Sequence, residues 1–177
     1  GYNFKKKTPL GGRYGMNIKA NFSYVRAIDR QLYNTSDLIQ KTNGYESKFF
    51  KWGDDTYYRS FDLVLTRKLS KAFKISLMYV NQLYNQAVVE GHGGSVHTNI
   101  YIADAKYQFS PKVTLRGELQ YMTTKQDQGD WAYGLLELSL APNWMVSVSD
   151  MWNCGATNLH YYQGLVTYNI GQHRIQG

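Results

Sequence analysis

The sequence predicts an all-β fold, an antiparallel up-and-down sheet of long strands, and three observations predict it. Apolar and polar side chains alternate every second residue in segment after segment. Short links that hold the phase of this alternation take turns with longer polar loops. The composition is rich in tyrosine and poor in proline, with 16 Tyr and 3 Pro in 177 residues. Successive side chains of a strand point to opposite faces, so a period of two marks a two-faced strand. Tyrosine suits a half-buried pleated surface, and proline breaks the hydrogen-bond ladder.

The first long strand runs from Tyr14, with Met16, Ile18, Ala20, Phe22 and Tyr24 on one face and Asn17, Lys19, Asn21 and Ser23 on the other. A polar stretch from Asp29 to Thr56 follows and reads as a loop. The rhythm then resumes with Phe61, Leu63 and Leu65, and again with Phe73, Ile75, Leu77 and Tyr79. It returns in Tyr101 to Phe109, Val113 to Tyr121, Ala132 to Leu140, Trp144 to Val148 and Tyr162 to Ile170. This makes about eight long strands. Tyr2 and Phe4 read as the end of one more strand and Arg174 to Gly177 as the start of another, so residues 1–177 are expected to be a single segment of a longer chain.

Three links share one form, an apolar residue, three linking residues and another apolar residue: Leu69 to Phe73, Phe109 to Val113, and Leu140 to Trp144. A three-residue link keeps one face continuous, as the pattern requires. Ile170 to Arg174 is expected to be a fourth. The longer loops are Asp29 to Thr56, Gln86 to Val96, Thr124 to Asp130 and Asn153 to His160. Tight turns at one end, long loops at the other and strands apolar on one face predict a transmembrane β-barrel, its apolar set on lipid and its polar set on a water-filled lumen. No run of eighteen apolar residues exists, and the mean hydropathy is −0.49, so a membrane-spanning helix is excluded. Trp52, Trp131, Trp144 and Trp152 stand at strand ends, where aromatic rings favour the lipid–water boundary.

The charge of +7 is concentrated in part at Lys5, Lys6, Lys7 and Arg13, which read as a solvated turn. Nucleic-acid binding would need exposed aromatics beside basic residues on one face. Here the aromatics mostly share a face with Leu, Val and Ile while the charges occupy the other, so no nucleic-acid partner is expected. The lumen wall is expected to contain Lys19, Asp62, Asp104, Lys106, Arg116, Glu118 and Glu137. If Phe109 faces Val113, then Lys106 faces Arg116 and Asp104 faces Glu118, with diagonal pairs Asp104–Arg116 and Lys106–Glu118. A charge ladder of this kind either stabilises the sheet or tunes which solutes pass.

His92 and His97, near Glu90, have ligand-type side chains, but they sit in a Gly-rich stretch with no further His or Cys close in sequence. No metal or other cofactor is expected. No nucleophile elbow, phosphate-binding glycine loop or paired-carboxylate signature occurs, so no enzymatic activity is expected. Cys154 is alone and has no partner for a disulfide in this sequence.

Phe73 to Tyr84, Tyr107 to Tyr121 and Trp144 to Trp152 resemble porin-like outer-membrane β-barrels of Bacteroidota, in long Tyr-rich strands, Ser-Pro-Lys turns and Asn/Gln-rich inner positions. The resemblance implies a bacterial outer-membrane location, a larger barrel, and contact with the lipid bilayer and lipopolysaccharide; it supplies no substrate. The expected function is passage of small polar solutes. One rival is a non-transporting envelope barrel with an adhesive, structural or secretion-associated role, binding a protein partner or glycan through the loop at 29–56 with Tyr33, Tyr45, Phe49, Phe50 and Trp52. A second is a soluble, glycan-binding β-sandwich, whose apolar face a second sheet would cover.

Overall fold

Alternating, β-branched and aromatic segments fold as strands in the computed structural model, which describes residues 1–28, 31–32, 45–46 and 51–177. In chain order these are β1 (Tyr2–Phe4), β2 (Met16–Ile28), β3 (Gln31–Leu32), β4 (Tyr45–Glu46), β5 (Trp52–Lys68), β6 (Phe73–Asn85), a short α1 (Gln86–Val89), β7 (Ser95–Ser110), β8 (Val113–Thr123), β9 (Trp131–Leu140), β10 (Trp144–Asn153), β11 (His160–Ile170) and β12 (His173–Gln176). Ten strands form one antiparallel sheet in the order β1-β2-β5-β6-β7-β8-β9-β10-β11-β12, and β3 and β4 pair apart from it. Each strand of the large sheet lies beside its predecessor, the β3–β4 hairpin aside, so the topology is up-and-down. The sheet is open, with β1 and β12 at its edges. Eight of the strands have 10 to 17 residues.

Register carries the two-faced pattern across the whole sheet. One row on the apolar side runs Ile18, Leu65, Leu77, Ala103, Leu119 and Gly134 from β2 to β9. Burial is inverted relative to a soluble fold. Phe22 is 64% and Leu119 68% exposed on the apolar face, whereas Ser60 at 3% and Thr167 at 1% are covered on the polar face. Val80, Thr98 and Asn153, also on the polar face, are buried too. Substantial contacts between elements run only between neighbouring strands and from α1 to β5 and β7. Among the described residues, therefore, no second layer packs on either face. A soluble domain rarely leaves so large an apolar surface uncovered.

Five connections differ from the sequence expectation, each for a local reason. The first long strand starts at Met16, because Gly15, at φ +85°, closes the preceding turn with its N–H donating to Gly11 O at 2.8 Å. The polar stretch expected to run to Thr56 gives way to strand at Trp52, since β2 and β5 stay paired through two register shifts to Ile28 and Trp52. Arg26 Nε donates to Gly53 O at 2.7 Å across this irregular end. The stretch expected as a loop from Gln86 to Val96 contains α1, whose Val88 N–H is capped by Asn85 Oδ1, and ends where β7 begins at Ser95. The link after Ile170 has two residues rather than three. Ile170 pairs with His173, and Gly171 supplies the positive φ (+57°) that a two-residue hairpin needs.

The other links behave more regularly. Leu69 N–H donates to Phe73 O at 2.9 Å, and Leu140 pairs directly with Trp144. Phe109 does not face Val113: the ladder slips at Phe109, and Ser110 takes that place. The slip lies below the charged pairs, so Lys106 still faces Arg116 and Asp104 still faces Glu118.

A charged wall on the polar face

The polar face is organised in levels, because each hydrogen-bonded row sets one residue from every strand side by side. The charged level runs Lys68, Lys74, Lys106, Arg116 and Glu137 across β5 to β9. The level above it runs Thr66, Ser76, Asp104, Glu118 and Leu135. Arg116 ties the two levels together. Its Nε donates to Asp104 Oδ2 at 2.6 Å, and its Nη2 donates to Glu118 Oε2. Gln120 Nε2 donates to the other oxygen of Glu118. A planar guanidinium serves two carboxylates through separate N–H groups, which an ammonium group cannot do with the same geometry.

Of the residues expected in the wall, Asp104, Lys106, Arg116, Glu118 and Glu137 come together. The diagonal Asp104–Arg116 forms. No bond links Lys106 to Glu118, whose oxygens are taken by Arg116 and Gln120. Lys19 and Asp62 share the face but lie apart from this group, on β2 and β5. Lys19 faces Val64, while Asp62 accepts from Asn21 Nδ2 at 3.2 Å and Ser60 Oγ at 2.6 Å.

Lys68 and Lys74 were missed as wall residues, although the link from Leu69 to Phe73 contained the signal. Counting one step outward from that pair sets the two lysines face to face. Lys68, Lys74 and Lys106 make no ion pair among the described residues. Like charges directly opposite each other in neighbouring strands are destabilising. The row is therefore an uncompensated positive stripe that ends at the neutralised Arg116.

Above the charged levels the same face turns apolar, with Met78, Ile102, Val80, Ile100, Met122 and Met151. Ile100, Met122 and Met151 line part of a hollow of about 530 Å³ together with Trp131, Tyr133, Glu118 and Gln120. Trp131 pairs with Met122 and Asn153 and so lies on the polar face, opposite Trp144 and Trp152 on the apolar face. Its position at a strand end did not reveal its face; the period of two does. Trp52 is exposed at the start of β5.

The loop end has two further arrangements that single-strand reading did not find. Asn153 is fully buried; its Nδ2 donates to Gln128 O at 3.0 Å, and its Oδ1 accepts from Ala156 N and Thr157 N at 2.9 Å. Cys154 N and Gly155 N donate to Asp130 O at 3.0 and 2.9 Å, so the two neighbouring loops are clasped together. Asp150 stands on the apolar face between Gly134 and Tyr162, where its Oδ2 lies 2.8 Å from His160 Nδ1. Among the other histidines, His92 lies 3.3 Å from Glu90, but His97 is in β7, paired with Leu83. No group of three or more metal-ligating side chains forms among the described residues. The aromatic residues expected to bind a partner at 33, 49 and 50 lie outside the described residues.

One family match spans the chain: the model of a family of unknown function, DUF6029, covers residues 1–177. The chain belongs to DUF6029. No curated protein and no solved structure matches it.

Proposed function

We propose that this chain forms the wall of a bacterial outer-membrane β-barrel, similar in kind to porin-like barrels, which passes small polar solutes along its polar face. One observation carries the reading. Eight strands expose a continuous apolar face that no second layer of the described residues covers, while Ser60, Thr98, Asn153 and Thr167 are buried on the polar face. Lipid is the natural cover for such a face. The strands have 10 to 17 residues, and a tilted strand needs about 9–11 to cross a bilayer. The links of two to four residues all fall at one end, together with the turn between β1 and β2, and the loops after β2, β6, β8 and β10 fall at the other, an arrangement close to that of such barrels. A soluble sandwich requires a second sheet over the apolar face, and the described residues supply none. In the barrel, Asp104, Lys106, Arg116, Glu118 and Glu137 line the lumen, with Trp144 and Trp152 at the two lipid boundaries.

A second reading, a non-transporting envelope barrel, draws support from the apolar upper half of the polar face. Met78, Val80, Ile100, Ile102 and Met122 would favour a plugged or dry interior over an open aqueous channel. Outer-membrane fractionation of the full-length protein, with gel mobility compared before and after boiling, tests the barrel. A heat-dependent shift in the membrane fraction is expected, and a soluble, monodisperse protein overturns it. Conductance in planar bilayers then separates the two readings: ion flow supports the channel, and a folded, silent barrel supports the second.

A further inference from the structure

We propose that the tight-turn end of the polar face is a binding site for a small multivalent oxyanion, of which a phosphate group is the type. The pocket lies between the β1–β2 turn and β5 and has a volume of about 340 Å³. Lys5, Lys6 and Lys68 line it with the amides of Asn3 and Asn17 and the hydroxyl of Thr66, and no carboxylate is among its lining residues. Lysines from a turn and from a strand far away in sequence thus converge on one space. In sequence, Lys5 and Lys6 read only as part of a solvated turn.

The surroundings hold this arrangement in place. Thr8 Oγ1 donates to Lys5 O at 2.8 Å and accepts from Gly11 N at 3.0 Å, so the turn carrying the lysines is internally bonded. Asn17 Nδ2 donates to Asn3 Oδ1 at 2.6 Å, fixing the amides at the junction of β1 and β2. Thr66 exchanges a hydrogen bond with Ser76 at 2.9 Å. From Lys68 the positive stripe continues through Lys74 to Lys106 on the same level. The wall carboxylates Asp104 and Glu118 are already engaged by Arg116.

Like charges held in one row without counter-charges are an unfavourable arrangement that a bound anion relieves. Ammonium groups act as point-charge partners for phosphate oxygens, and the side-chain N–H groups of Asn3 add directional hydrogen bonds. A multivalent ligand touches several of these groups at once. The site does not require that anything be conducted, so it goes beyond the channel reading and stands or falls separately.

The test is binding of inorganic pyrophosphate to the folded full-length protein in a neutral detergent, read by isothermal titration. A parallel arm uses vesicles with and without phosphatidic acid. Saturable pyrophosphate binding is expected, weakened about tenfold or more in the triple variant Lys5→Gln/Lys6→Gln/Lys68→Gln, the sum of three exposed ion pairs. It should also weaken as potassium chloride is raised, since exposed charges are screened. Lys112→Gln/Lys125→Gln, outside the pocket, should bind as the unmodified protein does. The single variant Lys68→Gln gives the same direction with the turn intact, so misfolding of the triple variant does not decide the outcome. Lysine-dependent binding to phosphatidic acid vesicles but not to pyrophosphate identifies a lipid headgroup as the source of the phosphate. The proposal is overturned if neither probe binds, or if either binds equally well to the protein and to both pocket variants.

Discussion

Leu119 and Gln120 are consecutive in β8 and point to opposite faces, so arginine introduced at each in turn tests the proposal that the apolar face meets lipid and the polar face a lumen. Leu119 is 68% exposed on the apolar side, between Ala103 and Gly134 in its row, and lies one residue from the middle of Val113–Thr123. At that depth an arginine has the farthest to reach toward either headgroup region, and its cost on the lipid face is about 2–4 kcal/mol. At Gln120 the same side chain enters the enclosed polar face beside Glu118 and its cost is about 1 kcal/mol or less. A difference of about 2–3 kcal/mol is roughly a 30- to 140-fold change in the folding equilibrium. The assay is urea unfolding of the full-length protein in phospholipid vesicles, read by the heat-dependent mobility of the folded form. The pairs Leu77/Ser76 and Val148/Ser149 repeat the comparison on β6 and β10. If Gln120→Arg proves as damaging as Leu119→Arg, and the other pairs behave alike, the two-face assignment is wrong.

Replacing Arg116 by Met leaves Asp104 and Glu118 facing each other without their shared cation, and should lower the urea midpoint by an amount worth about 1–2 kcal/mol. The loss is smaller than for a fully buried pair because Arg116 is 34% exposed. Arg116→Lys should recover only part of it, since one ammonium cannot reproduce both guanidinium contacts. Asn153→Ala removes three hydrogen bonds from a fully buried side chain and should cost about 1–3 kcal/mol, with faster proteolysis in the loops at 124–130 and 154–159 as the readout. Gly155→Ala should loosen the same clasp, because a Cβ there meets the backbone of Gly129 and Asp130; unchanged proteolysis in this variant would argue against the close loop packing.

Strand existence was legible because period-two alternation is a local property, read equally well from Tyr101 to Phe109 and from Ala132 to Leu140. The charged pairs Lys106/Arg116 and Asp104/Glu118 were legible as well, since one short link determines the register of the two strands that it joins. Details that depend on backbone conformation were not: the slip at Phe109, the two-residue link at Gly171 and the continuation of β5 back to Trp52. Turn length changes by one residue with no change in composition, so the pattern on either side does not encode it.

The sequence by itself determined that this chain is a long-stranded antiparallel protein with one apolar and one polar side, because alternation and link length act between neighbours. Only the tertiary structure decided which charges stand alone and which are neutralised. Arg116 is held by Asp104 and Glu118, while Lys68, Lys74 and Lys106 make no ion pair among the described residues, and Lys68 shares a pocket with Lys5 and Lys6 of the β1–β2 turn. That distinction depends on side chains from several strands and one distant turn reaching the same level, and such coincidences in space leave no periodic trace along the chain.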